Sequence, residues 1–222
     1  MQYLQHSEAG ASSLTLRGDA HRYLFKVRRH RKGETMTLRN LVDDVLYFYR
    51  IDALDKKEAH LLLEKSERLT VQAKRELHIG WCLIDPKSIE KILPTLNEMG
   101  VDTITFIHCE RSQKSFKLDF TRLEKILLNS SQQSGRSRMM KLFAVDDLEC
   151  FLRENREAVM LNFSEQKLKE GGEEGTFVVG CEGGFTPQEV ALFRPEKIMG
   201  LDTSLILKSE SAVCAIASKV LL

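Results

Sequence analysis

The segment Val178-Val179-Gly180-Cys181-Glu182-Gly183-Gly184-Phe185-Thr186-Pro187-Gln188-Glu189 reads VVGCEGGFTPQE, an apolar strand that ends in a glycine loop and runs straight into a helix start. Thr186 to Glu189 has the pattern of a capping box with proline at the first helical position, so the helix start is well specified. Gly183 and Gly184 permit positive φ and close backbone approach immediately before it. In open α/β sheets ligands bind beyond the carboxyl ends of strands, where this loop is delivered. It is neither a GxxxxGKS/T phosphate loop nor GxGxxG, and Glu182 would repel a phosphate. A ligand that is uncharged or cationic here and bonded through backbone groups fits it. So does a tight turn whose glycines serve only geometry.

Around this loop the chain alternates strand and helix from about Val71. ELHIGWCLI reads as a strand, Asp85-Pro86 starts a helix with apolar Ile89, Ile92, Leu93 and Leu96 that stops near Gly100, and TITFIH is the next strand. LDFTRLEKILLNSSQQ is a second helix, with Leu118, Leu123, Ile126 and Leu127 on its apolar side. AVMLNF, TFVVG and KIMGL are short apolar runs suited to buried parallel strands. The pattern predicts an α/β sheet with helices on both faces. KLKEGGEEG is the most flexible-looking loop. The last segment, SESAVCAIASKVLL, places Val213, Ile216, Ala217 and Val220 on one stripe; such a helix is either a core helix or part of a dimer interface.

The first seventy residues read differently. LTLRG, ETMTLRN, VLYFYRIDAL and HLLLEK are strand-like and punctuated by Gly18, Gly33 and Asp43-Asp44, which suggests a small β-barrel. A short helix is expected from Asp19 to Val27, with Asp19 as its cap and Leu24 and Val27 pointing inward. Although the chain carries a formal net charge of +1, residues 1 to 40 hold eight Lys/Arg against three acids, and the rest hold 25 against 29. That split is what a polyanion-binding module joined to a neutral body would show, or equally a solvated basic face. The cluster KVRRHRKG leaves Arg28, Arg29 and Arg31 exposed to reach phosphates.

Composition bounds the rest. With 222 residues, 42% hydrophobic and 29% charged, the chain is an ordinary globular protein of one large or two small domains. No apolar run approaches the ~20 residues that cross a bilayer, and the N-terminus is unlike a signal peptide, so a cytoplasmic, membrane-free protein is expected. The five cysteines, Cys82, Cys109, Cys150, Cys181 and Cys214, are widely spaced and odd in number. The expectation is reduced thiols, with neither a metal site nor a disulfide framework.

VGCEGGFTPQE followed by ILKSESA closely resembles the paired GPEGGFS and ILRxETA signatures of RsmE-type methyltransferases, which modify uridine N3 in small-subunit ribosomal RNA. Glu98-Met99-Gly100-Val101 is similar to that family's ELGV, Arg111-Ser112 to its RS, and Gln133-Ser134-Gly135-Arg136 to its QSxR. His21, Val27-Arg28 and Gly33 resemble its N-terminal H, LR and G. The agreement runs in order along nearly the whole chain. The departures are Cys181 for the proline of GPEGG, Lys208 for the arginine of ILR, Ser211 for the threonine of ETA, Asn129 and Gln132 for glutamates, Met139-Met140 near a usual proline, and Thr203 for the glycine of LGxR.

The resemblance implies a PUA-like RNA-binding β-barrel over residues 1–70 and a SPOUT methyltransferase domain with a C-terminal trefoil knot over residues 71–222. It implies S-adenosylmethionine as cofactor, held by Leu161, Gly180, Cys181, Glu182, Gly183, Gly184, Gly200, Leu201, Leu205, Ile206 and Leu207. A sulfonium cation and a neutral adenosine would tolerate the carboxylate of Glu182. The implied partners are 16S rRNA or the small ribosomal subunit and a second copy of the chain. RNA contacts are expected from Arg17, Arg22, Arg28, Arg29, Arg31, Arg111 and Lys208. Arg136 could stabilise the developing uracil anion or bind a phosphate, and Glu210 could accept a proton or cap the last helix, with Ser209 or Ser211 sharing the cap. His78 and His108 read as structural histidines. Alternatives to this activity are a non-catalytic RNA-binding ribosome-assembly factor and a SPOUT methyltransferase acting on another RNA position.

Overall fold

The computed structural model describes residues 2–169, 171 and 175–222. The chain divides into two compact units, residues 1–72 with 131–139, and residues 73–130 with 140–222. Of the glycine-rich stretch 167–175, residues 170 and 172–174 lie outside the described residues.

The first unit is built on an open five-stranded sheet that curls as a half-barrel. Its strands are β1 (Leu4–Gln5), β2 (Ser13–Arg17), β3 (Thr35–Arg39), β4 (Val45–Leu54) and β5 (Glu58–Arg68), in the order β1-β3-β4-β5-β2. Only β1 and β3 run parallel; the other pairs are antiparallel. Alternate residues point inward, Leu14 and Leu16 from β2, Met36 and Leu38 from β3, Tyr49 and Ile51 from β4, and Leu24 packs into the same core. The helix α1 (Gly18–His21) continues as a π-helical turn over Arg22–Val27. Two expectations fail there: no side chain caps α1, and Val27 is exposed, because the wider π turn rotates it off the core face.

The second unit carries a six-stranded sheet in the order β11-β9-β10-β6-β7-β8, every pair parallel. Its strands are β6 (Leu77–Cys82), β7 (Thr103–Ile107), β8 (Lys141–Val145), β9 (Val159–Leu161), β10 (Gly175–Val179) and β11 (Ile198–Met199). The flanking helices are α2 (Pro86–Met99), α3 (Phe120–Ser134), whose last four residues belong to the first unit, α4 (Leu148–Glu154), α5 (Pro187–Ala191) and α6 (Ser209–Leu221). Asp85 caps α2 by accepting the Ser88 N–H, and Gly100 ends it at φ 104°.

Strand pairing overturns the expectation of five free thiols. Cys82 and Cys109 form a disulfide, with Cα atoms 5.5 Å apart, while Cys150, Cys181 and Cys214 are free. Cys82 sits opposite Ile107 on the neighbouring strand, and the chain turns just after it, so register rather than sequence spacing brings the two sulfurs together.

The stripe Val213, Ile216, Ala217 and Val220 on α6 is fully buried within the single chain, packed towards α2, β6 and β10. It is a core stripe and is not available to a second copy. An unpaired charge placed there has no water and no partner. Ile216→Glu is therefore expected to cost about 3–5 kcal/mol and to yield unfolded or insoluble protein, not a folded monomer; a cooperative far-UV melt near the wild-type temperature would contradict this.

Candidate functional site

A cavity of about 720 Å³ opens at the carboxyl ends of β9, β10 and β11. Ten of the eleven residues expected to hold a cofactor line it: Leu161 at the end of β9, Gly180, Cys181, Glu182 and Gly184 after β10, Gly200 and Leu201 after β11, and Leu205, Ile206 and Leu207 before α6. Gly183 does not. Its missing Cβ would lie 3.2 Å from the Cβ of Arg111, so this glycine leaves room for the Arg111 side chain. The positive φ belongs to Gly184 (66°), whose N–H closes the turn onto the Cys181 carbonyl at 2.9 Å.

The helix start after this loop is built as its sequence pattern requires. Thr186 Oγ1 accepts the Glu189 N–H at 3.2 Å and Glu189 Oε2 accepts the Thr186 N–H at 2.8 Å. Glu189 is buried, and its second oxygen takes the Glu110 N–H from the turn after β7 at 3.0 Å. From the same turn Arg111 Nη1 donates to the Gly183 carbonyl at 2.6 Å. On the other side, Ser209 Oγ donates to the Gly180 carbonyl at 2.5 Å and accepts the Trp81 indole N–H at 2.8 Å. The glycine loop and the helix start behind it are thus fixed to two separate elements, the turn after β7 and the start of α6.

The third wall is a close crossing of two segments. Gly200 N–H donates to the Gln166 carbonyl and the Gly200 carbonyl accepts the Leu168 N–H, both at 2.8 Å. A Cβ on Gly200 would come within 2.7 Å of the Ser164 carbonyl oxygen. Thr203, in place of the family's glycine, lines the cavity and takes the Leu205 N–H on its hydroxyl at 3.1 Å, ordering the turn before Ile206.

The remaining sequence-predicted residues fall in several places. Lys208 lines the cavity as the residue before α6. Glu210 stands in the first turn of α6, where its charge complements the helix dipole, and no side chain caps that helix; Ser209 is used by the tertiary contacts instead. In the first unit Arg22, Arg28, Arg29 and Arg31 are exposed, Arg28 lying over the Tyr23 ring and donating to its hydroxyl at 3.0 Å. Arg17 forms an exposed ion pair with Glu58 at 2.7 Å. Arg136 belongs to the same unit and is buried, its Nε donating to the Arg138 carbonyl at 3.3 Å. Its own carbonyl accepts the Tyr3 hydroxyl at 2.7 Å, and Asp44 binds the next two residues through Ser137 Oγ and the Arg138 guanidinium. Those two partners hold the Asp44 carboxyl below the usual range, Arg138 foremost. Burial pushes the His78 imidazole down, and its Nε2 meets Thr105 Oγ1 at 2.8 Å, whereas His108 is exposed. Among the described residues no cluster could hold a metal, and no helix is long and apolar enough to cross a membrane.

Residues 71–221 match the family described as the RNA methyltransferase domain. Two proteins named ribosomal RNA small subunit methyltransferase E, from Helicobacter pylori strains J99 and 26695, are each 34% identical over 222 residues, covering 98% of this chain and 98% of theirs. The chain belongs to the ribosomal RNA small subunit methyltransferase E family. Its fold is that of the Neisseria gonorrhoeae member solved bound to S-adenosyl methionine, with a TM-score of 0.81 at 20% identity over 98% of this chain and 95% of that one.

Several cavity residues escape a reading of the family signatures. Phe163, 81% exposed, and Asn162, Ser164, Glu165 and Lys167 come after β9 and line the same cavity. The signal available was only their place beyond an apolar run, which marks any strand end. The crossing at Gly200 is tight enough to test by itself. Gly200→Ala must displace backbone, an overpacking that costs about 1–3 kcal/mol; chemical denaturation should show that loss, and an unchanged midpoint would mean that the two segments part freely.

Proposed function

We propose that this chain transfers a methyl group from S-adenosylmethionine to N3 of a uridine in the 16S RNA of the small ribosomal subunit. The observation that carries this reading is the cavity at the ends of β9, β10 and β11 in a chain related along its length to small-subunit rRNA methyltransferases. The residues present fit the cofactor. A volume of about 720 Å³ is that of a small-molecule site. Glycines at 180, 184 and 200 leave the backbone itself as the wall. The Glu165 and Glu182 carboxylates suit a cation, and the Lys167 and Lys208 ammonium groups suit the carboxylate end of an amino acid. When bound, the cofactor supplies an electrophilic methyl on a sulfonium centre.

The residues of the chain then have three tasks. Because methyl transfer to nitrogen is an in-line displacement, rigid cavity walls that fix the approach line supply much of the acceleration. Uracil N3 holds its proton at neutral pH and lies on the Watson–Crick edge, so the base must be turned out and its proton removed. Arg136 stabilises the charge that appears on the base, and Glu210 accepts the proton. The exposed arginines 22, 28, 29 and 31 hold the RNA backbone, with affinity that falls as salt rises. The active form is a homodimer. Leu205, Ile206 and Phe163, 72%, 82% and 81% exposed among the residues lining the cavity, are the apolar surface a second copy would cover, and sedimentation at micromolar concentration should give a dimer.

Nucleoside mass analysis of 16S rRNA from a deletion strain, with and without the gene restored, tests the activity. 3-Methyluridine should vanish and return; its persistence without the gene would sink the assignment. Arg136→Ala should keep cofactor affinity and most RNA affinity yet lose about a hundredfold in single-turnover rate at saturating RNA and cofactor, the scale of one positioned electrostatic group. Full recovery of rate at saturating RNA would make Arg136 a phosphate anchor.

A further inference from the structure

We infer that Arg111 is a positioning residue of the cofactor cavity, acting through the Gly183 carbonyl, and not a contact to the RNA backbone. The inference rests on the reading of the cavity as the S-adenosylmethionine site. Among family motifs and basic residues Arg111 reads as one more phosphate ligand, and its exposure is compatible with that. Its geometry is not that of a free surface cation. Nη1 donates to the Gly183 carbonyl at 2.6 Å, and the stem runs along the glycine, Cβ and Cδ lying 3.2 and 3.3 Å from where a Gly183 Cβ would stand. Gly183 is the one residue of the stretch 180–184 that does not line the cavity, so Arg111 braces the loop from behind.

Two further observations give the brace a fixed root. The residue before it, Glu110, donates its N–H to Glu189 Oε1, and Glu189 is 4% exposed and already committed to the Thr186 N–H through its other oxygen. Adjacent residues of one turn therefore clasp the glycine loop and the helix start behind it. The residue before those, Cys109, is bonded to Cys82 at the end of β6, and the Ser112 N–H closes the turn onto the Cys109 carbonyl at 3.0 Å. A hydrogen bond from a guanidinium to a backbone carbonyl is stronger than one between neutral groups. Here it holds a loop of two glycines that would otherwise sample many conformations. Binding to a loop held in place loses less conformational freedom, so the effect of Arg111 should fall on cofactor affinity.

Calorimetric titration of S-adenosylmethionine into wild type, Arg111→Ala and Arg111→Lys, beside salt-dependent binding of a 16S rRNA transcript to each, tests this. The alanine variant should bind the cofactor about tenfold more weakly, the scale of one charge-assisted hydrogen bond to a partly exposed group. The lysine variant should recover part of the loss, because it restores a donor without the planar fork. RNA affinity, its salt slope and the melting temperature of the free protein should stay at wild-type values. Unchanged cofactor affinity with a weaker, flatter salt dependence of RNA binding in Arg111→Ala would overturn the inference and return Arg111 to the RNA contacts. A lowered melting temperature with equal losses of both ligands would reduce it to a general structural role. If wild type itself does not bind S-adenosylmethionine, the cavity reading falls and takes this inference with it.

Discussion

The buried hydroxyl of Ser209 is the contact on which the second unit depends. It accepts from the Trp81 indole on β6 and donates to the carbonyl of Gly180 at the end of β10, while its own backbone begins α6. Three elements distant in sequence meet at one oxygen, and Trp81 and Ser209 are both buried there. An unmet indole N–H in that place would carry the full desolvation penalty, which opposes any slide of the start of α6 along the sheet. The stripe of Val213, Ile216, Ala217 and Val220 buries itself towards α2, β6 and β10 in a register that keeps the hydroxyl bonded.

The cavity derives from that anchorage. Parallel strands deliver their carboxyl ends to one edge, and β11, β9 and β10 lie side by side there. Glycines 180, 184 and 200 stand just beyond β10 and β11, so the backbone forms much of the wall. The loop after β10 is secured at Gly180 by Ser209, at Gly183 by Arg111, and just beyond by Glu189 to Glu110. Such multiple fixing is what lets a stretch of two consecutive glycines keep one shape, since glycine otherwise loses the most freedom of any residue on ordering. The family departures are absorbed in this setting. Thr203 supplies a hydroxyl that orders its own turn, and Cys181 is buried beneath the glycine turn.

The first unit is built by different means. Its half-barrel core is a set of alternating inward residues, and its basic residues stand out from the π-helical turn and the loop before β3. It also takes in the segment from Ser131 to Met139, where Tyr3 holds the Arg136 carbonyl and Asp44 holds the Ser137 and Arg138 side chains. A carboxylate with two guanidinium hydrogen bonds and a serine hydroxyl is a strong fixed point, and it settles the course of the chain through the residue to which the proposed mechanism assigns charge stabilisation.

Local pattern was enough to read most strands of both units, the Asp85 and Thr186 helix starts and the glycine loop, because period, caps and turn chemistry act over a few residues; β1, the edge strand β8 and the short helix α4 went unread. The order of the signatures along the chain was enough for the family. Pairings between distant residues, by contrast, depended on tertiary structure. The Cys82–Cys109 disulfide, the service of Ser209 as a bridge instead of a cap, the contact of Arg111 with Gly183, and the burial of the α6 stripe inside one chain all arise from strand register and helix docking. None leaves a mark in local spacing, since an apolar stripe looks the same whether a neighbouring helix or a second molecule covers it, and a glycine looks the same whether it makes room for a ligand or for an arginine.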